Sequence, residues 1–138
     1  MIIIGHCAIA YQEFSKITSI SDISHTDASH IVWFDTNELL QEQAFALGKH
    51  CYEYKVNYAV IIHSLEELLI YANLMPQYLI LHKDMQSQAK AFQGIIEHYL
   101  LDCKLLCVIK SSAHLPKIAQ LGIDGAIFKQ VLDNIKPS

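Results

Sequence analysis

The sequence predicts an α/β domain on a mostly parallel sheet of five or six strands, doubly wound so that helices cover both faces. Three observations predict it. Short, continuous apolar runs recur at 31–34, 58–62, 78–81, 105–109 and 126–128. Between them lie stretches whose apolar residues recur at steps of three and four, the period of a helix with one buried face. Unbroken apolar strands alternating with amphipathic helices are what a parallel sheet covered by helices requires.

Each element can be justified in turn. MIII at the N-terminus reads as an extra edge strand, and the polar, turn-rich TSISDISHTDASH that follows reads as an appendage to the sheet. IVWF (31–34) is a strand ending in Asp35, and Asn37 is a candidate cap for a helix with the stripe Leu40, Ala44, Leu47, Cys51 and Tyr54. YAVII (58–62) is a strand ending in His63. Ser64-Leu65-Glu66-Glu67 is a capping box that opens a helix with the stripe Leu65, Leu68, Leu69 and Ala72, and Pro76 punctuates the chain after it. YLIL (78–81) is a strand, followed by a helix from about Gln86 to Leu101 with Ala89, Phe92, Ile95, Ile96, Tyr99 and Leu100 inward. LLCVI (105–109) is a strand, with Ser111 and Ser112 as cap candidates for a short helix through Leu115, Ile118 and Ala119. Pro116 is tolerable in its first turn and Gly122 is a natural stop. AIF (126–128) is the last strand, ending in Lys129, with a short helix from about Val131. The chain of 138 residues is read as one domain, with 1–30 an appendage or edge strand and 31–138 the core. The expected strand order is the flavodoxin-like 2-1-3-4-5.

Composition narrows the function classes. Apolar residues make up 52% and charged residues 17%, with a mean hydropathy of +0.24, so much apolar surface must be hidden in a core or a self-association interface. The net charge is −4 and no basic run appears, which argues against nucleic acid. No apolar stretch approaches the ~20 residues needed to span a bilayer, and the N-terminus lacks a basic region ahead of its apolar run, so the expectation is a cytoplasmic protein without membrane contact. Cys7, Cys51, Cys103 and Cys107 form no CxxC pair, and the expectation is no metal site.

In open parallel sheets, ligands bind beyond the carboxyl ends of the strands. The residues there are Asp35, His63, His82 with Asp84, Lys110 with Ser111 and Ser112, and Lys129. His82 can serve in three ways: as a structural hydrogen-bonding group, as a metal ligand with His63 and a carboxylate, or as part of an anion pocket with Lys110, Ser111 and Lys129.

PQYLILH (76–82), LLCVIKSS (105–112) and GIDGAIFKQ (122–130) resemble the second half of response-regulator receiver domains, over roughly residues 30–136. The resemblance places Lys129 on that family's lysine, Ser111 near its hydroxyl position and Asp35 on an acidic metal-binding position. It also places His82 where the phosphoacceptor aspartate belongs and Gln130 where a proline follows the lysine, so it implies a degenerate domain that cannot form the usual aspartyl phosphate. LGIDGAIF is also similar to a late-strand segment of phosphate-binding TIM barrels, but a full barrel needs ~200 residues. The reading is therefore a non-catalytic regulatory or protein-interaction module, expected to form a homodimer or bind a partner protein, with no cofactor assigned. The alternative is a small-molecule or phosphate-binding protein, or a small enzyme, using the edge around Asp35, His82 and Lys129.

Overall fold

All five apolar runs become strands, and two more lie ahead of them in the computed structural model, which describes residues 1–133. The strands are β1 (Ile2–Ile4), β2 (Phe14–Lys16), β3 (Ile31–Asp35), β4 (Tyr58–Ile62), β5 (Tyr78–Leu81), β6 (Lys104–Ile109) and β7 (Gly125–Phe128). The helices are α1 (Ile20–Ile23), α2 (Gln41–Glu53), α3 (Leu65–Ala72), α4 (Ala89–His98), α5 (Leu115–Gln120) and α6 (Lys129–Asp133). Residues 134–136 of the receiver-like span, and the end of the expected domain, lie outside the described residues.

The α/β class and the parallel sheet hold. The strand count and order do not. The sheet has seven strands in the order β1-β7-β6-β5-β4-β3-β2, and every neighbouring pair is parallel. The order 2-1-3-4-5 requires β3 to lie between β4 and β5, whereas β4 pairs with both β3 and β5. A doubly wound sheet reverses direction once within its core, but here the chain steps from β2 to β7 without reversal. MIII forms the edge strand expected of it, β1, but the residues between it and 31 are not an appendage, since β2 is the opposite edge of the same sheet.

The sheet is curled. The paired rows Lys16–Trp33–Ala59–Tyr78 and Asp35–Ile61–Ile80–Leu106–Gly125–Ile2 lie on one face. Phe14 also lies there, two residues before Lys16. The Phe14 and Tyr78 rings stack with centroids 6.2 Å apart, although β2 and β5 would be about 14 Å apart in a flat sheet. This concave face buries Ile61, Ile80, Leu106 and Ile127 against one another. The convex face carries the helices. Phe34 on β3 stacks on Tyr58 and meets Tyr71 of α3 edge-on, and Phe45 of α2 packs on the same Tyr71 ring. The curl brings α6, which follows β7, into contact with β2 at the opposite edge. Gln130 Nε2 donates to Gly5 O, tying α6 to the end of β1.

Gly125 shows how tightly the concave face closes. A Cβ there would collide with Ile2 O and lie 2.8 Å from Leu106 Cδ2. On the convex side, the buried Gln93 of α4 accepts from Asp124 N, and Asp124 Oδ2 accepts from Leu105 N.

Several helix expectations change in detail. Asn37 lies in a 3-10 turn (Thr36–Glu38) capped by Asp35, so it does not cap α2, which starts later at Gln41. Leu40, Tyr54, Leu65, Leu69, Tyr99 and Leu100 are exposed, because each helix contacts the sheet along a stripe narrower than its apolar face. Ser64 Oγ accepts from Glu67 N as a capping box requires, but the Glu67 carboxylate accepts from His63 N, one residue further out. The helix expected from Gln86 is a 3-10 segment (Lys83–Gln88) that passes into α4.

Candidate functional site

In a parallel sheet every strand delivers its C-terminal end to the same edge, and the curl draws those ends into a ring. Asp35 ends β3, and His63, His82, Lys110 and Lys129 follow β4, β5, β6 and β7 there. Two cavities open at this mouth. The first, of about 370 Å³, is lined by His82, Lys83, Asp84, Gln86, Lys110, His114 and Lys129 over Val108 and Ile109. The second, of about 420 Å³, is lined by Lys16, Trp33, Asp35, Glu38, Ile61, Leu132 and Asp133. His82, Val108 and Lys129 border both.

The first cavity is cationic. The 3-10 segment after β5 carries Lys83 and is tied to β6 by Gln86 Nε2, which donates to Val108 O at 2.8 Å. That bond sets Lys83 beside Lys110. Contact with the Lys83 side chain and the charges of Lys83 and Lys129 hold the Lys110 ammonium below its ordinary pKa. Two ammonium groups have only donors, so their close approach is favourable only when one gives up its proton or an anion sits between them. Among the described residues neither Lys83 nor Lys110 has an ion-pair partner. Lys129 Nζ lies 3.8 Å from Asp133 Oδ2, and Asp84 Oδ2 lies 3.4 Å from His82 Nδ1.

The second cavity is more nearly neutral. Lys16 pairs with Glu38 and stands over the Trp33 ring, 5.4 Å from its centroid. Asp35 Oδ1 contacts His63 Nε2 at 2.7 Å and accepts from Asn37 N at 2.9 Å. Thr36 Oγ1 donates to Glu67 Oε1 at 2.7 Å, so the ends of β3 and β4 are clamped to the first turn of α3.

Of the residues singled out from sequence, His82, Asp84, Lys110 and Lys129 line the first cavity, and His82, Asp35 and Lys129 line the second. His63 stands behind Asp35 as its hydrogen-bonding partner. Ser111 and Ser112 are exposed and line neither cavity, and Ser111 precedes a 3-10 turn without a side-chain cap bond. His63 and His82 follow adjacent strands yet turn to different carboxylates, Asp35 and Asp84. No group of three or more His, Cys, Asp or Glu side chains gathers as a metal site among the described residues. No helix among them is long and apolar enough to cross a membrane.

Sequence reasoning missed Lys83, Gln86, His114, Lys16 and Trp33. Lys83 had a signal, since it directly follows His82 at a strand end. Lys16 and Trp33 had none, because only the curl brings β2 and β3 into the ring.

No protein-family model matches the chain, and no curated protein matches its sequence.

Proposed function

We propose that this domain binds a small anion, with phosphate chemistry, in the cationic cavity at the C-terminal mouth of its curled sheet. One observation carries the reading: Lys83, Lys110 and Lys129 converge on one cavity in a chain of net charge −4. Like charges held together cost free energy that an anion relieves. The supporting geometry is a pocket of small-ligand size, with walls of Val108 and Ile109 and donors on three consecutive strand ends.

Melting the protein in matched concentrations of chloride and phosphate tests the proposal. An affinity of ~1 mM would add about 1.4 kcal/mol at 10 mM phosphate, by the linkage of binding to folding. The Lys110→Gln variant should lose most of that gain. Equal melting temperatures in the two salts would contradict the reading.

The interaction-module reading retains one support. Leu40, Tyr54, Leu69 and Leu100 are large apolar side chains left exposed. It predicts a homodimer, and light scattering that finds only monomer at high concentration would remove it.

A further inference from the structure

The cationic cavity does not stand alone. It shares His82, Val108 and Lys129 with the second cavity, so a ligand seated on the lysines can extend past that shared wall without leaving the mouth. Resting on the phosphate reading above, we infer that the second cavity holds the organic part of the same ligand, an uncharged, hydroxyl-bearing carbon skeleton, so that the domain binds a polyol or sugar phosphomonoester.

The lining argues for that chemistry. Trp33, Ile61, Val108 and Leu132 supply apolar surface, suited to the C–H face of a small skeleton. The three carboxylates at this cavity already have cationic or imidazole neighbours. Glu38 has Lys16, Asp133 has Lys129 and Asp35 has His63. A second cation is therefore not called for. What remains is an acceptor without a donor: Asp35 Oδ1 is occupied by His63 and Asn37, and Oδ2 has no hydrogen-bond partner among the described residues. The Asp35 side chain is only 16% exposed, and a partly desolvated carboxylate oxygen favours a hydroxyl donor. A hydroxyl is also an acceptor, so it can satisfy Lys129 at the shared wall in the same pose. The two cavities together fall in the range of roughly 300–1,000 Å³ usual for small-ligand sites.

Trp33 is the only tryptophan in the chain, so its emission reports on the second cavity alone. The experiment titrates the full chain with inorganic phosphate, ribose 5-phosphate and phosphoethanolamine, following heat by calorimetry and Trp33 emission by fluorescence. Ribose 5-phosphate should bind at least tenfold more tightly than inorganic phosphate and shift the Trp33 emission, while inorganic phosphate leaves it unchanged. The Asp35→Asn variant should shrink the tenfold preference to less than threefold. The emission result needs no variant, so it stands even where Asp35→Asn fails to fold. Equal affinities with a silent Trp33 would overturn this inference while leaving the phosphate site intact. Tighter binding of phosphoethanolamine than of ribose 5-phosphate would overturn the hydroxyl assignment. No binding of any of the three would overturn the phosphate reading, and this inference with it.

Discussion

Two tyrosines between the convex face and its helices, Tyr58 on β4 and Tyr71 on α3, make the same substitution act with opposite sign. Tyr58 and Tyr71 are both 1% exposed and pack against Phe34. The Tyr58 hydroxyl donates to Leu74 O at 2.9 Å, whereas the buried Tyr71 hydroxyl has no partner among the described residues. Replacing Tyr58 by Phe removes one made hydrogen bond and strips Leu74 O of its donor, a cost of about 1–1.5 kcal/mol. Replacing Tyr71 by Phe removes a desolvated hydroxyl that gains nothing, and should stabilise by about 1 kcal/mol. With an unfolding entropy of about 2.1 cal/mol/K per residue, a chain of 138 residues shifts its melting temperature by roughly 3–4 °C per kcal/mol. Calorimetric melts of the two variants and the parent should therefore bracket the parent by several degrees on each side. If Tyr71→Phe lowers the melting temperature as much as Tyr58→Phe does, the hydroxyl is satisfied and the reasoning fails.

Gly125→Ala should cost about 3 kcal/mol, because its Cβ collides with the backbone carbonyl of Ile2 on the neighbouring strand; urea unfolding would measure it, and a change under 1 kcal/mol would deny the close approach. Leu100 is 84% exposed at φ +53°, so Leu100→Gly should stabilise by about 1 kcal/mol in the same assay by relieving left-handed strain; a loss of stability would show that its side chain contributes packing. Burial pushes Cys51 up to about 12 and Cys103 and Cys107 up to about 11 from 9.0, so the unfolded chain releases these protons first and stability falls as pH rises above 9. The buried phenols of Tyr58 and Tyr71 add to that fall above pH 10, and Lys110, whose pKa is lowered, opposes it as a single group. Denaturation midpoints that stay level from pH 8.5 to 11 would contradict the burial of the thiols.

Local chemistry was legible and global curvature was not. The strands at 58–62, 78–81 and 105–109 announce themselves, because a strand buried on both faces tolerates no polar residue. Gly122 announces the end of α5, and it adopts φ +74° there. Winding direction leaves no such mark. A strand between two neighbours reads the same whether the chain reverses or continues, so the order 2-1-3-4-5 and the observed sequential order share one apolar pattern. β1 is three residues long yet legible as the apolar MIII, whereas β2, Phe14–Lys16, carries only one buried residue and was hidden beside the polar segment that leads to β3. The site inherits both properties. His82, Lys110 and Lys129 could be placed at the strand ends from sequence, whereas Lys16 and Trp33 join the mouth only through the curl. Gln130, the departure from the receiver pattern, has a local role of its own in holding α6 to Gly5.

The proposed anion site lies among Lys83, Lys110 and Lys129 at the mouth of the curled sheet. The most direct test follows backbone amide resonances by ¹H–¹⁵N NMR as inorganic phosphate is titrated at constant ionic strength. Saturable shifts should be confined to residues 82–86, 110–114 and 129–130, and should be lost in Lys110→Gln. Shifts that do not saturate, or that fall on the helices of the convex face and leave those three segments unmoved, would contradict it.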